Sequence, residues 1–576
     1  MPSRMAGAHR IAALTALALL TGAPVEAPPA VAAPGGMTRA DLTFTIATST
    51  RFPISRFIYG VNFLTDTGAA GRAPWFGASP PAGATLNRLG GNRFSAYNWE
   101  TNYSNAGHDY RYQNDNFLSP STKPGEAVRW RGAATFARGA AMLVTVPMIG
   151  YVAADDTGVP LDTTDSTRAR RLATHFHVSK AAKGGPFSTT PDARDPFVYQ
   201  DEFIHWLNVT FPFAASDARR RLFYSLDNEP DLWTSTHREI ESNWNDNPDT
   251  PRIQTYSGFI DTTIAYARAI KAAAPNAVIF GPAVATYTGV LTLGRYPRPD
   301  PDYGKQPFIE VYLDRLRQAE RQSGVRLVDV LDVHWYPAPG TRAGSILNDW
   351  APQDSAMITT RLQAPRSLWD PTYDERSWVT STVGGPVRLL PRLREIIQAH
   401  YPDTKIAITE YFYGRSGDIS GGIAQADVLG IFGREGVFAA TLWPQAGIWA
   451  PGYKGNGVKA YAYAFGAFAM YLDYDGRGSR FGDTGVQATT SDPATSSVYA
   501  SADSAGRLVV VAINKLAVAR SVRITLSPAP ALSAVKAWAM TDGTPSPVRE
   551  PDPIVTGGQV TYTMPPMSVS TLAISP

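Results

Sequence analysis

From residue 54 onward the chain repeats one rhythm: a short apolar run, a loop, then in several cases a helical stretch. The apolar runs lie at 58–63, 84–89, 142–148, 222–226, 277–281, 328–334, 405–409 and 437–443. Apolar residues spaced i, i+3, i+4 mark helices between them, most clearly over 262–273, 308–322, 387–400 and 424–434. Runs this short and largely apolar read as buried strands. Eight of them alternating with helices predict an α/β fold, a parallel (β/α)8 TIM barrel. An Ala- and aromatic-rich segment at 461–471 predicts the closing helix, and 474–483, rich in Gly and Asp, a linker.

After the linker the period changes. Short runs at 508–513, 521–526, 534–538, 559–563 and 568–574 are separated by Pro, Gly and Ser, with no helical pattern between them. That pattern predicts an antiparallel β-sandwich. Near the other end, 41–47 alternates polar and apolar residues outside the barrel rhythm, so it is assigned to the sandwich, which becomes discontinuous. The expected organisation is a first sandwich strand at 41–52, a barrel at 53–480 and the rest of the sandwich at 481–576.

Composition narrows the class. A chain of 576 residues with 44% hydrophobic and 18% charged residues can bury a large core in two or three domains. A net charge of +3, without a basic stripe, argues against nucleic acid as a partner. Arg4, His9 and Arg10 precede an apolar run at 11–20 and then small residues and prolines, which predicts a signal peptide over 1–33 and a secreted protein. The run is too short for a stable membrane span. The absence of cysteine removes disulfides and thiol chemistry and suits a protein stable through its core alone. The expected molecule is a monomer with no membrane partner.

The chemistry centres on Tyr224-Ser-Leu-Asp-Asn-Glu-Pro230, which closes the fourth run, and on Thr409-Glu410-Tyr411, which closes the seventh. Carboxylates at C-terminal strand ends sit where a TIM barrel keeps its active site. Burial would raise the pKa of Glu229 and suit it to proton donation. The bland account of Asn228-Glu229-Pro230 is a capped helix start, and that of Glu410 a strand-end ion pair. Together the two glutamates fit glycoside cleavage, in which one protonates the leaving oxygen and the other attacks the anomeric carbon or activates water. Arg88, beside Asn92 and Arg93 at the second strand end, would keep a nucleophilic carboxylate ionised. Asn228 and His334 are candidate hydrogen-bonding partners for a sugar. Trp99, Trp233, Trp335, Tyr336, Tyr411 and Trp443 are candidate stacking faces, as are Tyr97 and Tyr413, although aromatics also fill large cores. His175 and His177 have a spacing that could bind metal on a strand, but no carboxylate visibly pairs with them. Asp155, Asp156, Asp162 and Asp165 could hold a structural calcium, solvated loop acids being the simpler account.

The chain resembles glycoside hydrolase family 44. The likeness rests on Leu89-Gly-Gly-Asn-Arg93, Tyr97-Asn-Trp-Glu-Thr-Asn102, Ser104-Asn-Ala-Gly107, the Asn228-Glu229-Pro230 block with Leu232-Trp233, Asp332-Val-His-Trp-Tyr336, Thr409-Glu-Tyr411 and the long run Ile419 to Gly433. It covers most of 55–475 and extends to the ending Pro565 to Leu572. The resemblance implies a barrel with a sandwich built from both chain ends and a retaining endoglucanase or xyloglucanase that needs no cofactor. It places the acid/base on Glu229 and the nucleophile on Glu410. Rival expectations are a hydrolase of mannan or xylan and a non-catalytic glycan-binding protein. Arg415-Ser-Gly-Asp418 departs from the Gly- or Asn-rich turn the family carries there, and no cellulose-binding module is recognisable.

Overall fold

The computed structural model describes residues 42–64, 81–241, 255–294, 299–349, 351–443, 457–503, 506–528 and 532–575. The expected signal peptide lies outside the described residues. So does Asp41.

Eight parallel strands close a barrel: Gly60–Asn62, Leu86–Leu89, Ala141–Val146, Leu222–Leu226, Ile279–Val284, Val330–Val333, Lys405–Tyr411 and Ala439–Leu442. Each falls on or against one of the apolar runs. They are numbered first to eighth below. The barrel floor is apolar, filled by Leu86, Leu143, Phe223, Phe280, Val330, Ala407 and Ala439 with Phe57 beneath them. Toward the mouth the interior turns polar: Asn62, Arg88, Asp332, Thr409 and Thr441 are all fully buried. Because successive strand residues face opposite sides, this change marks where the barrel stops being core and starts being a site.

The outer layer includes helices Tyr256–Ala273, Phe308–Ser323, Leu389–His400 and Ile419–Arg434, with Gly457–Leu472 closing the barrel. The loops after the second and third strands carry short elements of their own. The longest holds a three-stranded sheet of Tyr151–Ala153, Phe176–Lys180 and Phe197–Tyr199.

The rest of the molecule is a ten-stranded sheet around an apolar core that includes Phe44, Val510, Ile524, Val560 and Leu572. The N-terminal strand Leu42–Pro53 lies inside it, antiparallel to Thr484–Thr490 but parallel to Arg520–Ser527. The expectation of a purely antiparallel sheet is corrected at that pair, because a strand arriving from the far end of the chain is not constrained by a hairpin. Helix Ile419–Arg434 is packed between barrel and sheet, which explains its apolar character all round. At Gly430 a β-carbon would sit 2.2 Å from the Tyr499 ring, so only glycine lets the sheet approach. Tyr499 Oη and Lys515 Nζ both reach the buried Asp427 carboxylate of the same helix, at 2.6 and 2.7 Å. Arg415, at the departure from the family pattern, adopts φ 50°, the left-handed conformation that Gly and Asn favour. Its Nε donates to Asp418 at 2.7 Å and its backbone N–H to Asp349 at 2.7 Å, contacts that hold it there.

Candidate active site

The fourth strand ends at Leu226, and the next three residues turn sharply. Asp227 and Glu229 both take left-handed φ angles, 64° and 46°, before Pro230 opens a single 3-10 turn. Such conformations cost on the order of 1 kcal/mol each and persist only where the surroundings impose them. Here the Asp227 carboxylate accepts N–H bonds from Met148, Ile149 and Asn228. The Glu229 N–H donates to Ala283 O at 2.9 Å, and the Trp233 indole donates to Asn228 O at 3.0 Å. Asn228 does not cap a helix. Its Oδ1 accepts from Arg88 Nη2 at 2.7 Å and from the Gly91 N–H at 3.2 Å.

Glu410 reaches the same mouth from the seventh strand. The register against the eighth strand slips between Ile408 and Tyr411, and irregularities of this kind re-aim side chains at barrel rims. Arg88 Nη1 donates to Glu410 Oε1 at 2.7 Å and Tyr336 Oη to Oε2 at 2.7 Å. Arg88 also donates to Asn62 Oδ1 at 3.1 Å. The guanidinium is fully buried, and Gly90 passes directly over it: a β-carbon there would lie 2.4 Å from Cζ. That close approach explains Gly90, while Gly91 takes φ 79° with Trp443 2.9 Å from where a β-carbon would stand.

His334, at the end of the sixth strand, joins the two acids. Its Nδ1 lies 2.9 Å from Glu229 Oε1 and 3.5 Å from Glu410 Oε2, while Nε2 faces Arg88 Nη2 at 3.5 Å. Burial holds the imidazole down to about 3, so it is neutral. Since Arg88 can only donate, Nε2 is the acceptor and Nδ1 carries the proton toward Glu229. Burial pushes Glu229 up to about 7; the Arg88 charge opposes this and Asp109 reinforces it. Burial, and then the charge of Glu410, hold the Tyr336 phenol well above its ordinary value, so it remains a donor. One donor atom each of Glu229, His334 and Glu410 lie within 4.8 Å of one another. Such a trio could also ligate a cation, but the fixed Arg88 guanidinium already supplies the positive charge at Glu410.

The structure thus gathers Glu229, Glu410, Arg88, Asn228, His334 and Tyr336, and leaves Trp443 half-buried beside Gly91 and against Phe63. It does not gather the remaining aromatics. Trp99 is wholly buried against Phe203 and Trp206. Trp335 and Tyr411 each follow a residue that faces the mouth, and both are buried. Tyr411 packs edge-on against Phe432 and accepts from Gln425. Trp335 is 1% exposed, and Trp233 is consumed in holding Asn228. Tyr97 and Tyr413 are buried too. The expectation that Trp99, Trp233, Trp335 and Tyr411 stack on a sugar is therefore corrected: none has a face open to one.

His175 does pair with a carboxylate, Asp155 at 2.7 Å, contrary to expectation. Asp155, Asp156 and Asp162 each accept hydrogen bonds from nearby side chains. Arg93 is paired with Asp115. Sequence reasoning passed over Asn62, whose Nδ2 reaches Thr409 O at 3.0 Å and ties the first strand to the seventh. It also passed over Asp332, held by Thr409 Oγ1 at 2.8 Å beneath Glu410. Both are polar residues near the ends of apolar strands, which was the available signal.

The family model for glycoside hydrolase family 44 matches residues 103–339. Endoglucanase A of Paenibacillus lautus is 37% identical over 544 residues, covering 92% of this chain and 72% of that protein. The crystal structure of a family 44 endoglucanase from Clostridium thermocellum superposes with a TM-score of 0.81 at 34% identity, covering 93% of this chain and 99% of that one. A Paenibacillus polymyxa xyloglucanase of the same family, solved with xyloglucan, gives 0.80 at 34% identity over the same shares.

Proposed function

The chain belongs to glycoside hydrolase family 44, and from that premise we propose that it is a secreted, retaining endo-β-1,4-glucanase acting on cellulose-type glucans and xyloglucan. It is a glycoside hydrolase, and its relatives support β-glucans as the substrate class. In this reading Glu410, ordered by Arg88 and Tyr336, attacks the anomeric carbon and forms a glycosyl-enzyme ester. Glu229 gives its proton to the departing sugar oxygen, then takes one from the water that cleaves the ester.

The observation that carries the reading is the spacing of the acids. Glu229 and Glu410 place carboxylate oxygens within 4.8 Å of each other. Retaining enzymes hold their carboxyl groups about 5–5.5 Å apart, whereas inverting ones leave roughly 6.5–9.5 Å for a water. The pKa of about 7 at Glu229 supports the second role, because a group half-protonated near neutrality can both give and take a proton. His334 Nδ1–H stabilises the ionised form of Glu229 between the two steps.

The test is Glu410→Ala. Hydrolysis of carboxymethylcellulose and xyloglucan should fall to background. Added azide should restore cleavage of an aryl glycoside and yield the α-glycosyl azide, of inverted configuration. Activity surviving in the variant would refute the assignment. Reducing-end release from a panel that includes mannan and xylan decides the preferred polymer. The chemistry draws only on two carboxylates and water, so exhaustive chelation is expected to leave kcat unchanged.

A further inference from the structure

A second pocket of about 310 Å³ lies on the outer rim of the barrel, formed by elements other than those that hold Glu229 and Glu410. Its walls are the short helix Tyr287–Leu291, the first turns of Phe308–Ser323 and Leu389–His400, and the end of helix Trp378–Val383. Val290, Ile309 and Ile396 supply an apolar surface. Tyr287, Glu310, Arg392 and Glu395 bring polar atoms to it.

Tyr287 is the informative member. The residue is 4% exposed overall, but its hydroxyl oxygen makes no hydrogen bond among the described residues and is not itself buried, so it is open to the pocket. A phenol hydroxyl open to a pocket can both donate to and accept from a ligand hydroxyl. It lines the pocket together with Arg392 and Glu310, whose charges act on the phenol. Arg392 donates from its Nε to Val387 O at 3.3 Å, and its terminal nitrogens make no hydrogen bond among the described residues. An apolar wall, an uncommitted phenol, a guanidinium and two carboxylates match a neutral polyhydroxylated ring: C–H faces against the wall, hydroxyls against the polar groups. Arg388 lies 3.4 Å from Glu395, so two carboxylates and two guanidinium groups balance, which selects neither an anion nor a cation.

Beside the pocket stands Trp378, 45% exposed and the only tryptophan so exposed among the described residues. It lies one helical turn before Thr382, which lines the pocket and whose hydroxyl donates to Trp378 O at 2.8 Å. The indole is presented on a rigid mount. Ser377 caps its helix with a capping box, and Ser367 and Ser377 both donate to the buried Glu375 carboxylate. A fixed aromatic face binds with little ordering cost.

We propose that this pocket, with Trp378 at its edge, is a second glycan-binding site that holds a neutral β-glucan segment outside the catalytic cleft. The proposal rests on the hydrolase reading for its ligand class. The pocket adjoins the catalytic loop from behind: a β-carbon at Gly289 would lie 2.7 Å from Asp231 Oδ2, two residues beyond Glu229. A polymer held here raises the local concentration of chain at the cleft.

The test uses the full chain. In native gels containing soluble xyloglucan or hydroxyethylcellulose, protein carrying Glu410→Ala should be retarded. Adding Trp378→Ala, Arg392→Ala or Tyr287→Phe should weaken apparent affinity about three- to tenfold each, the range for one lost contact. Tyr287→Phe removes only the unpartnered hydroxyl, so its Tm should not fall, which separates lost binding from lost folding. In the active chain the same substitutions should leave cellotetraose turnover unchanged and slow cleavage of long polymer below saturation. Equal retardation of all three variants and their parent would overturn the proposal, as would their loss of cellotetraose turnover. An unsubstituted chain that hydrolyses none of these glycans would instead overturn the hydrolase reading.

Discussion

Replacing Glu229 with Gln tests the proposed acid/base through two independent quantities. Gln keeps the shape of the side chain and can still accept from His334 Nδ1, but it cannot titrate. Burial raises the Glu229 carboxyl from 4.5 to about 7, so the folded state binds this proton more tightly than the unfolded chain does. Stability is therefore complete below 4.5, declines as pH rises, and is lower by about 3 kcal/mol once pH passes 7. The variant escapes that loss. Its Tm should match the parent near pH 4 and exceed it by roughly 3 °C near pH 8.5, given the unfolding entropy of a chain this long. Kinetically, kcat/KM on cello-oligosaccharides should fall about 10²- to 10⁴-fold, the usual contribution of a positioned proton donor. On 2,4-dinitrophenyl cellobioside it should change little, because that phenolate leaves without a proton. The alkaline limb near pH 7 should vanish with the carboxyl. Scanning calorimetry at the two pH values and initial rates on the two substrate types measure all of this. An equal loss on both substrates, with no pH-dependent gain in Tm, would refute the acid/base role.

Two further outcomes follow from the packing. Arg88→Met leaves the Glu410 carboxylate buried without its cation, so denaturant titration should show a loss of about 3–5 kcal/mol, with activity falling at least 100-fold. Gly430→Ala would ordinarily help a helix by about 1 kcal/mol. Here its β-carbon meets the Tyr499 ring, so the variant should instead lose about 1–3 kcal/mol, with kcat/KM at 25 °C unchanged because the barrel mouth is not involved.

Much of this architecture was legible from local pattern. The eight runs all became barrel strands because a strand buried on both faces is apolar toward the helix layer and the barrel floor, a signal carried residue by residue even where Arg88 or Asp332 turns to the mouth. Four sheet strands were not anticipated, Thr484–Thr490, Ser496–Ala502, Thr544–Glu550 and Ile554–Thr556. The first two are rich in Ser, Thr and Ala, and Ser496 and Ser501 are buried all the same, so their alternation carries little contrast. The other two are the edge strands of the sheet, and none of their residues is buried.

The amino-acid order alone determined that Glu229 and Glu410 close the fourth and seventh strands, because strand ends and turn residues are local properties. It could not decide which neighbours share the mouth with them. That depended on strand parity, which turns His334 and Tyr336 to the acids and leaves Trp335 buried. It also depended on contacts across the barrel, which set Arg88 between Asn62, Asn228 and Glu410. Side-chain exposure is a property of the closed barrel rather than of any segment, and so the tryptophans that looked like sugar platforms proved to be its packing.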